Sequence, residues 1–318
     1  MLCEHCRCSA IDKLQNGRHW AWHGGYRYND CMALDQSFVG KEYSEHVFEV
    51  GREKLKEFAR AVKADINQFD TFMHPCFPVV YGSKLLEDVL YDPELKLNLG
   101  KLVHGEQEFV YYTPVKAGDT IKSTGKIRRI FTKGQHDFVD FQVQSFNQDG
   151  EHVTDSNAIF VIRGGNDTDF SLQEKLMMKL MSLMPSAAEK PEPAENPKTL
   201  EDGSYQVFVD KYMPQRYAGA SGDFNAIHLD DKLGKSVGLG GYILHGMATM
   251  SMGANFAMQK QKPESIKKYK VRFSSVVKPF DTLTYSGGLS DDSKFFKFKA
   301  INHKAEAVLG SCVVEFAL

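Results

Sequence analysis

The feature that most narrows what this chain can fold into is an internal repeat. Val115-Lys116-Ala117-Gly118-Asp119-Thr120-Ile121 returns as Val277-Lys278-Pro279-Phe280-Asp281-Thr282-Leu283, about 160 residues further on. An alternating apolar–polar run, the pattern of a half-buried strand, precedes each copy: Glu108 to Tyr112 in the first, Lys270 to Ser274 in the second. Further alternating runs follow, Phe138 to Phe146 and Phe295 to Ile301, and each copy closes on an apolar strand, Ala158 to Ile162 and Cys312 to Phe316. Upstream, Val79-Val80-Tyr81-Gly82 aligns with Ile243-Leu244-His245-Gly246, each at the opening of a helical pattern. A period this long means two copies of one α+β unit, not a solenoid. One apolar helix on a curved antiparallel sheet satisfies both apolar faces. A single copy leaves a sheet edge open, and two copies can join edges into one continuous sheet.

The copies are held apart by a helix and a linker. Leu172, Leu176, Met177, Leu180, Leu183 and Met184 recur at helical spacing, Ser171 with Glu174 fits a capping box, and Pro185 stops the helix. Residues 185–198 then hold four prolines and no large apolar side chain, which reads as an extended linker. The expected organisation is an N-terminal extension (1–34), a first unit (35–165), a linker with a short helix (166–199) and a second unit (200–318).

A formal net charge of −2 over 318 residues excludes a general nucleic-acid binder, which needs a clear basic excess. No run approaches the length of apolar sequence that spans a membrane, and the N-terminus lacks a signal-peptide core. The expectation is a soluble intracellular protein, and the ending Phe316-Ala317-Leu318 is not a peroxisomal Ser-Lys-Leu address. Cys76 and Cys312 lie in apolar segments and read as reduced, buried residues. Cys3, Cys6 and Cys8, with His5, His19, His23 or Cys31, could assemble zinc ligands, but no second pair stands at finger-like spacing. A loose tail is the preferred reading, so no metal is assigned.

The chemistry concentrates between residues 217 and 246. Asp223, Asn225 and His228 place a carboxylate, an amide and an imidazole within six residues. Asp223 and His228 are five apart, which on a helix turns them roughly 140° from one another. They meet only if the segment is a turn, and Gly219, Ser221, Gly222 and Asn225 permit one. Taken alone, the same residues are ordinary turn-formers with a packed imidazole. A glycine-rich stretch, Gly238 to Gly241, then leads through Tyr242-Ile243-Leu244 into a helical pattern that starts at His245-Gly246 and runs to about Met258. A backbone N–H at a helix start is a pre-aimed donor for a developing oxyanion, and glycine lets a carbonyl approach it. His245 itself reads more simply as a satisfied buried histidine.

Ser221-Gly222-Asp223-x-Asn225-x-x-His228-x-Asp230, followed by Ile243-Leu244-His245-Gly246, resembles the hydratase 2 motif of the MaoC-like dehydratases, the (R)-specific enoyl-CoA hydratases of hotdog fold. The likeness is good over 200–318, weak over 35–165 and absent from 1–34. Ala226 stands where the pattern commonly has proline, and Gly241-Tyr242 where proline often precedes the isoleucine; both are scaffold positions. The resemblance implies an α+β double hotdog, two antiparallel sheets each wrapped around a long helix and joined edge to edge, in which only the second half is catalytic. The first half has Ala64-Asp65-Ile66-Asn67 at the corresponding place but no histidine after it, and Tyr81 stands before Gly82. It would shape the acyl tunnel.

What the resemblance implies for chemistry is reversible hydration of a trans-2-enoyl thioester to the (R)-3-hydroxyacyl thioester. Asp223 and His228 would hold the water, Asn225 would orient them, and the Gly246 N–H would meet the thioester oxygen. Tyr242, Ile243 and Leu244 would line the substrate site. Lys267, Lys268, Lys270 and Arg272 form a basic run suited to CoA phosphates or an acyl carrier protein, though such runs are more often solvated faces. No cofactor is required, and a homodimer is the expected assembly. The rivals are a hotdog acyl-thioesterase, a metal site on Asp223, His228 and His245, and a silent acyl-thioester-binding protein.

Overall fold

The structure, a computed structural model, describes residues 34–165 and 197–317. The extension, with its cysteine cluster, and the capped helix at 171–184 lie outside the described residues, as does most of the proline-rich linker. Strands β1 (Glu42–Glu49), β2 (Leu102–Tyr111), β3 (Thr120–Lys133), β4 (His136–Phe146) and β5 (His152–Ile162) come from the first half. Strands β6 (Lys198–Thr199), β7 (Tyr205–Phe208), β8 (Ile266–Phe273), β9 (Thr282–Leu289), β10 (Phe295–Ile301) and β11 (Ala307–Phe316) come from the second. They form one eleven-stranded sheet in the order β1-β3-β4-β5-β2-β8-β11-β10-β9-β7-β6. The halves meet where β2 pairs antiparallel with β8, Gln107 opposite Val271 and Phe109 opposite Tyr269. The open edges expected of single units are thus closed against each other. Among the described residues no helix is long and apolar enough to cross a membrane.

Helices α1 (Arg52–Ala61) and α2 (Pro78–Leu90) belong to the first half; α3 (Met213–Ser221), α4 (Asp231–Ser236) and α5 (Gly246–Met258) to the second. Every residue of α5 from Met247 to Ala257 is buried, the pattern of a helix packed on all sides. The sheet holds it by hydrogen bonds as well as by packing: Tyr269 on β8 donates to the Met250 carbonyl at 2.8 Å, and Tyr285 on β9 to the Thr249 carbonyl at 2.9 Å. Alternation fixes which strand residues face it, so Phe296, Phe298 and Ala300 of β10 are buried between exposed lysines. Cys76 and Cys312 are free and buried within this core, as expected.

The repeat is visible bond by bond. The Lys116 N–H donates to Asp119 Oδ2 at 2.9 Å, and the Lys278 N–H to Asp281 Oδ2 at 2.8 Å. Asn147 Nδ2 reaches Glu151 at 2.8 Å in the β4–β5 turn, and Asn302 Nδ2 reaches Glu306 at 2.8 Å in the β10–β11 turn. One correction follows from the same comparison. Leu244 N–H bonds the Val277 carbonyl at 2.8 Å and Ala248 N–H the His245 carbonyl at 3.1 Å; their counterparts are Met73 to Val115 at 3.2 Å and Phe77 to His74 at 2.8 Å. His74-Pro75, not Tyr81-Gly82, therefore takes the place of His245-Gly246. Gly82 lies inside α2, where its N–H belongs to the helix ladder.

Candidate active site

Local backbone chemistry builds the turn that the spacing of Asp223 and His228 demands. Helix α3 ends on Gly222 in the left-handed region, φ 83°, a position natural to glycine. Asp223 Oδ1 then accepts the Asn225 N–H at 3.1 Å, and Asn225 Oδ1 accepts the Ile227 N–H at 3.2 Å to cap a single 3₁₀ turn, Ala226–His228. Asp230 caps α4, accepting from Lys232 and Leu233 at 2.7 and 3.1 Å. Three side chains in eight residues thus accept backbone N–H groups two positions on, and the chain between α3 and α4 is held without regular structure.

Asp223, His228 and His245 converge: one polar atom from each lies within 4.8 Å of the others. The His228 Nδ1–H donates to the Ile243 carbonyl at 2.9 Å, which fixes the tautomer and leaves Nε2 with a free lone pair. The His245 Nε2–H donates to the Asp223 carbonyl at 2.9 Å and stands 3.9 Å from Asp223 Oδ2. The two rings stack, centroids 3.7 Å apart and 24° from parallel. His245 is 1% exposed, whereas the Asp223 side chain keeps 44% of its surface open to solvent. His245 is buried, as expected, yet it also tethers the residue that carries the carboxylate.

Burial sets the charges. It pushes the His228 imidazole below its ordinary range, with Asp223 pulling the other way, and it pushes His245 down to about 3, aided by His228. Burial would raise the Asp223 carboxyl, but the attraction of His245, His228 and His104, which take up protons only in the acid range, together with the Asn225 N–H outweighs it, and the group is held below the usual carboxylate range. At neutral pH an ionised carboxylate faces two neutral imidazoles. As a metal site the trio fits poorly. Nearly parallel stacked rings point their in-plane lone pairs side by side, not at one ion.

Gly246 is the first residue of α5, so its N–H has no partner within the helix. A Cβ on it would lie 3.1 Å from the Phe273 ring, so packing as well as access favours glycine. Leu244 and Ile243 are buried beside it. Tyr242 points its hydroxyl toward the Lys211 carbonyl, 3.4 Å away. Lys270 and Arg272 are on β8 at the seam: Lys270 pairs with Glu106 at 3.2 Å, Lys268 with Glu108 at 2.8 Å, and Arg272 stands opposite Glu106. A phosphate bound there competes with those carboxylates.

The first half frames this site with residues the motif does not contain. Ala226 belongs to the core of that half, and a Cβ on Gly222 would meet the Ser83 hydroxyl of α2 at 3.1 Å. The Tyr91 hydroxyl, just past α2, is pushed up to about 12 by burial and by the Asp223 charge. His104 on β2 is held down to about 4 by burial, against the pull of Asp223. In sequence, a histidine before a glycine in an alternating strand carries no mark of this. The corresponding corner of the first half is built differently: Phe69 packs on His74 where His228 stacks on His245, and Pro75 has no N–H. A groove lined by Phe72, Met73, Pro75, Tyr111, Tyr112 and Ile266 lies on that side.

Residues 187–308, which contain Asp223, His228, His245 and Gly246, match the MaoC-like domain, and residues 37–156 match the FAS1-like dehydratase domain region. The chain carries a MaoC-like dehydratase domain in its second half and a FAS1-like dehydratase region in its first. It is 37% identical over 150 residues to a UPF0336 protein of Streptomyces avermitilis, spanning 43% of this chain and 99% of that one. A UPF0336 protein of Saccharopolyspora erythraea is 33% identical over 146 residues, 42% of this chain and 94% of its own. Among solved structures this MaoC-like chain shares its fold with a MaoC-like dehydratase from Phytophthora capsici (TM-score 0.68, 21% identity, 89% of this chain and 97% of that). It shares it also with peroxisomal multifunctional enzyme type 2 from Drosophila melanogaster (0.64, 21%, 86% and 48%). An acyl-ACP thioesterase from Bacteroides thetaiotaomicron is similar too (0.50, 11%, 86% and 97%), so the fold alone does not choose the reaction.

Proposed function

We propose that this MaoC-like chain catalyses the reversible hydration of trans-2-enoyl thioesters to (R)-3-hydroxyacyl thioesters, with CoA as the carrier. The observation that carries the reading is the tautomer lock on His228. With Nδ1–H given to the Ile243 carbonyl, the free Nε2 of a neutral ring is a base beside an ionised carboxylate. A water held between Nε2 and Asp223 loses a proton to this pair as its oxygen bonds to C3. The C2–C3 π electrons move to form an enolate, whose oxygen meets the unpaired Gly246 N–H. The pair then returns a proton to C2. Asn225 acts through its backbone N–H, which holds Asp223 Oδ1, and through its side chain, which caps the turn carrying His228.

The test is loss of enoyl absorbance with crotonyl-CoA and longer enoyl-CoA substrates, followed by chiral analysis of the product. Asp223→Asn and His228→Gln each lower kcat by roughly 10² to 10⁴ with the fold kept. Wild-type turnover in either variant refutes the assignment. Release of CoA thiol from enoyl-CoA and from saturated acyl-CoA, with no 3-hydroxyacyl-CoA formed, replaces it with the thioesterase reading that the Bacteroides neighbour suggests.

A further inference from the structure

A second polar group reaches this site from the half that lacks the dyad. The β2–β5 register shifts between His104 and Glu106, and Gly105 sits in the irregularity. A Cβ on Gly105 would lie 2.7 Å from Val161 Cγ2 and 3.2 Å from the Ile159 carbonyl, so only glycine allows β2 to lie this close to β5. Bulges of this kind re-aim a neighbouring side chain. The His104 ring is clamped between Phe160 at 5.1 Å and Phe273 at 4.9 Å. Phe273 is also the ring that packs on Gly246, so His104 and the unpaired N–H share one aromatic wall. Nε2 of His104 is buried and has no hydrogen-bond partner. A buried polar atom left unpaired in the free protein is costly and asks for a ligand.

We propose that His104 is a specificity-determining residue, whose Nε2 hydrogen-bonds the oxygen on C3 and so favours a 3-hydroxyacyl thioester over the saturated acyl thioester of equal length. The inference rests on the hydratase reading. Asp223, which handles that oxygen, is electrostatically linked to His104, and burial keeps the ring neutral at physiological pH. A neutral ring nitrogen can donate or accept, and a hydroxyl answers either. A purely structural ring between two phenylalanines would work equally well as phenylalanine.

That difference is the experiment. In an Asp223→Asn background, which prevents interconversion, calorimetry measures dissociation constants for (R)-3-hydroxyacyl-CoA and saturated acyl-CoA pairs of four and eight carbons. Adding His104→Phe lowers the hydroxyacyl preference roughly tenfold and leaves saturated acyl-CoA binding in place. His104→Gln retains part of the preference and serves as the probe if the phenylalanine variant does not fold. An unchanged ratio in the folded variant overturns the inference. Wild-type hydration of the enoyl substrates separates the two claims: if it fails, the reaction assignment falls; if it holds with an unchanged ratio, only the role of His104 falls.

Discussion

Pro75 and Gly246 stand at corresponding helix mouths, and the difference between them is a single N–H. The imidazoles around those mouths share a property with two measurable consequences: burial keeps them neutral. Base catalysis needs His228 neutral and Asp223 ionised, and both groups titrate below their ordinary ranges. As pH falls from 7, the working protonation state therefore survives the ordinary imidazole value of 6.5. We expect the acid limb of kcat/KM below that value; a limb at or above it contradicts the neutral-base assignment. Stability moves the other way. His74 and His104 are depressed to about 4 and His245 to about 3, so below pH 6.5 the unfolded chain binds protons that the folded chain refuses. Their contribution is complete above 6.5 and is lost as pH drops toward 4, each group costing about 1.4 kcal/mol per pH unit. Urea unfolding at pH 7, 6 and 5 reads this directly, and a flat stability across that range rules it out.

Among the elements, α5 shows where packing overrides propensity. Gly253 is mid-helix, and replacing it with alanine should help an isolated helix by about 1 kcal/mol. Here the added Cβ would lie 2.7 Å from the Tyr269 hydroxyl and 2.9 Å from the Phe298 ring. Overpacking of this kind costs about 1–3 kcal/mol, so we expect Gly253→Ala to lower the thermal midpoint, and a raised midpoint contradicts the geometry. The loop before β9 shows the opposite case. Phe280 holds φ 72° where its repeat counterpart Gly118 holds 95°, and its side chain is 62% exposed. Phe280→Gly removes left-handed strain of about 1–2 kcal/mol against the entropy glycine adds, for a net gain of roughly 0.5–1 kcal/mol by chemical denaturation. Strand β10, from Phe295 to Ile301, and helix α5, from Gly246 to Met258, were legible because alternation and helical spacing record which residues face a core. The equivalence of Tyr81-Gly82 with Gly246 was misleading because an apolar-aromatic-glycine string says nothing about where a helix begins. Pro75, which opens that corner in the first half, carries no resemblance to glycine. His104 was invisible because its meaning comes from Phe273 and Asp223, more than a hundred residues away.

At the scale of the whole molecule, the question is whether the first half is an appendage or part of the same cooperative unit as the second. The charged pairs across the seam, Lys268–Glu108 and Lys270–Glu106, are partly exposed and contribute about 0–1 kcal/mol each, too little to join two domains. The buried contacts decide instead. One core runs through both halves, with Phe77, Phe109 and Tyr81 in continuous packing with Tyr217, Tyr269 and Val271. The second, centred on Phe141 and Leu85 of the first half, includes Ala226 from the turn that carries His228. Asn255 of α5 completes the link, its Nδ2 donating to the Val62 carbonyl at 2.8 Å and its Oδ1 meeting His74 Nε2 at 3.1 Å. Phe141→Ala removes a fully buried ring remote in sequence from Asp223, at a cost of about 3–5 kcal/mol. If the halves are one unit, that loss appears as a shift of a single unfolding transition, and hydrogen exchange at α5 rises together with exchange at β4. Two transitions, with α5 protected as in the wild type while β4 opens, would show that the second half stands alone. In that event the first half could be changed without reaching the turn that carries His228.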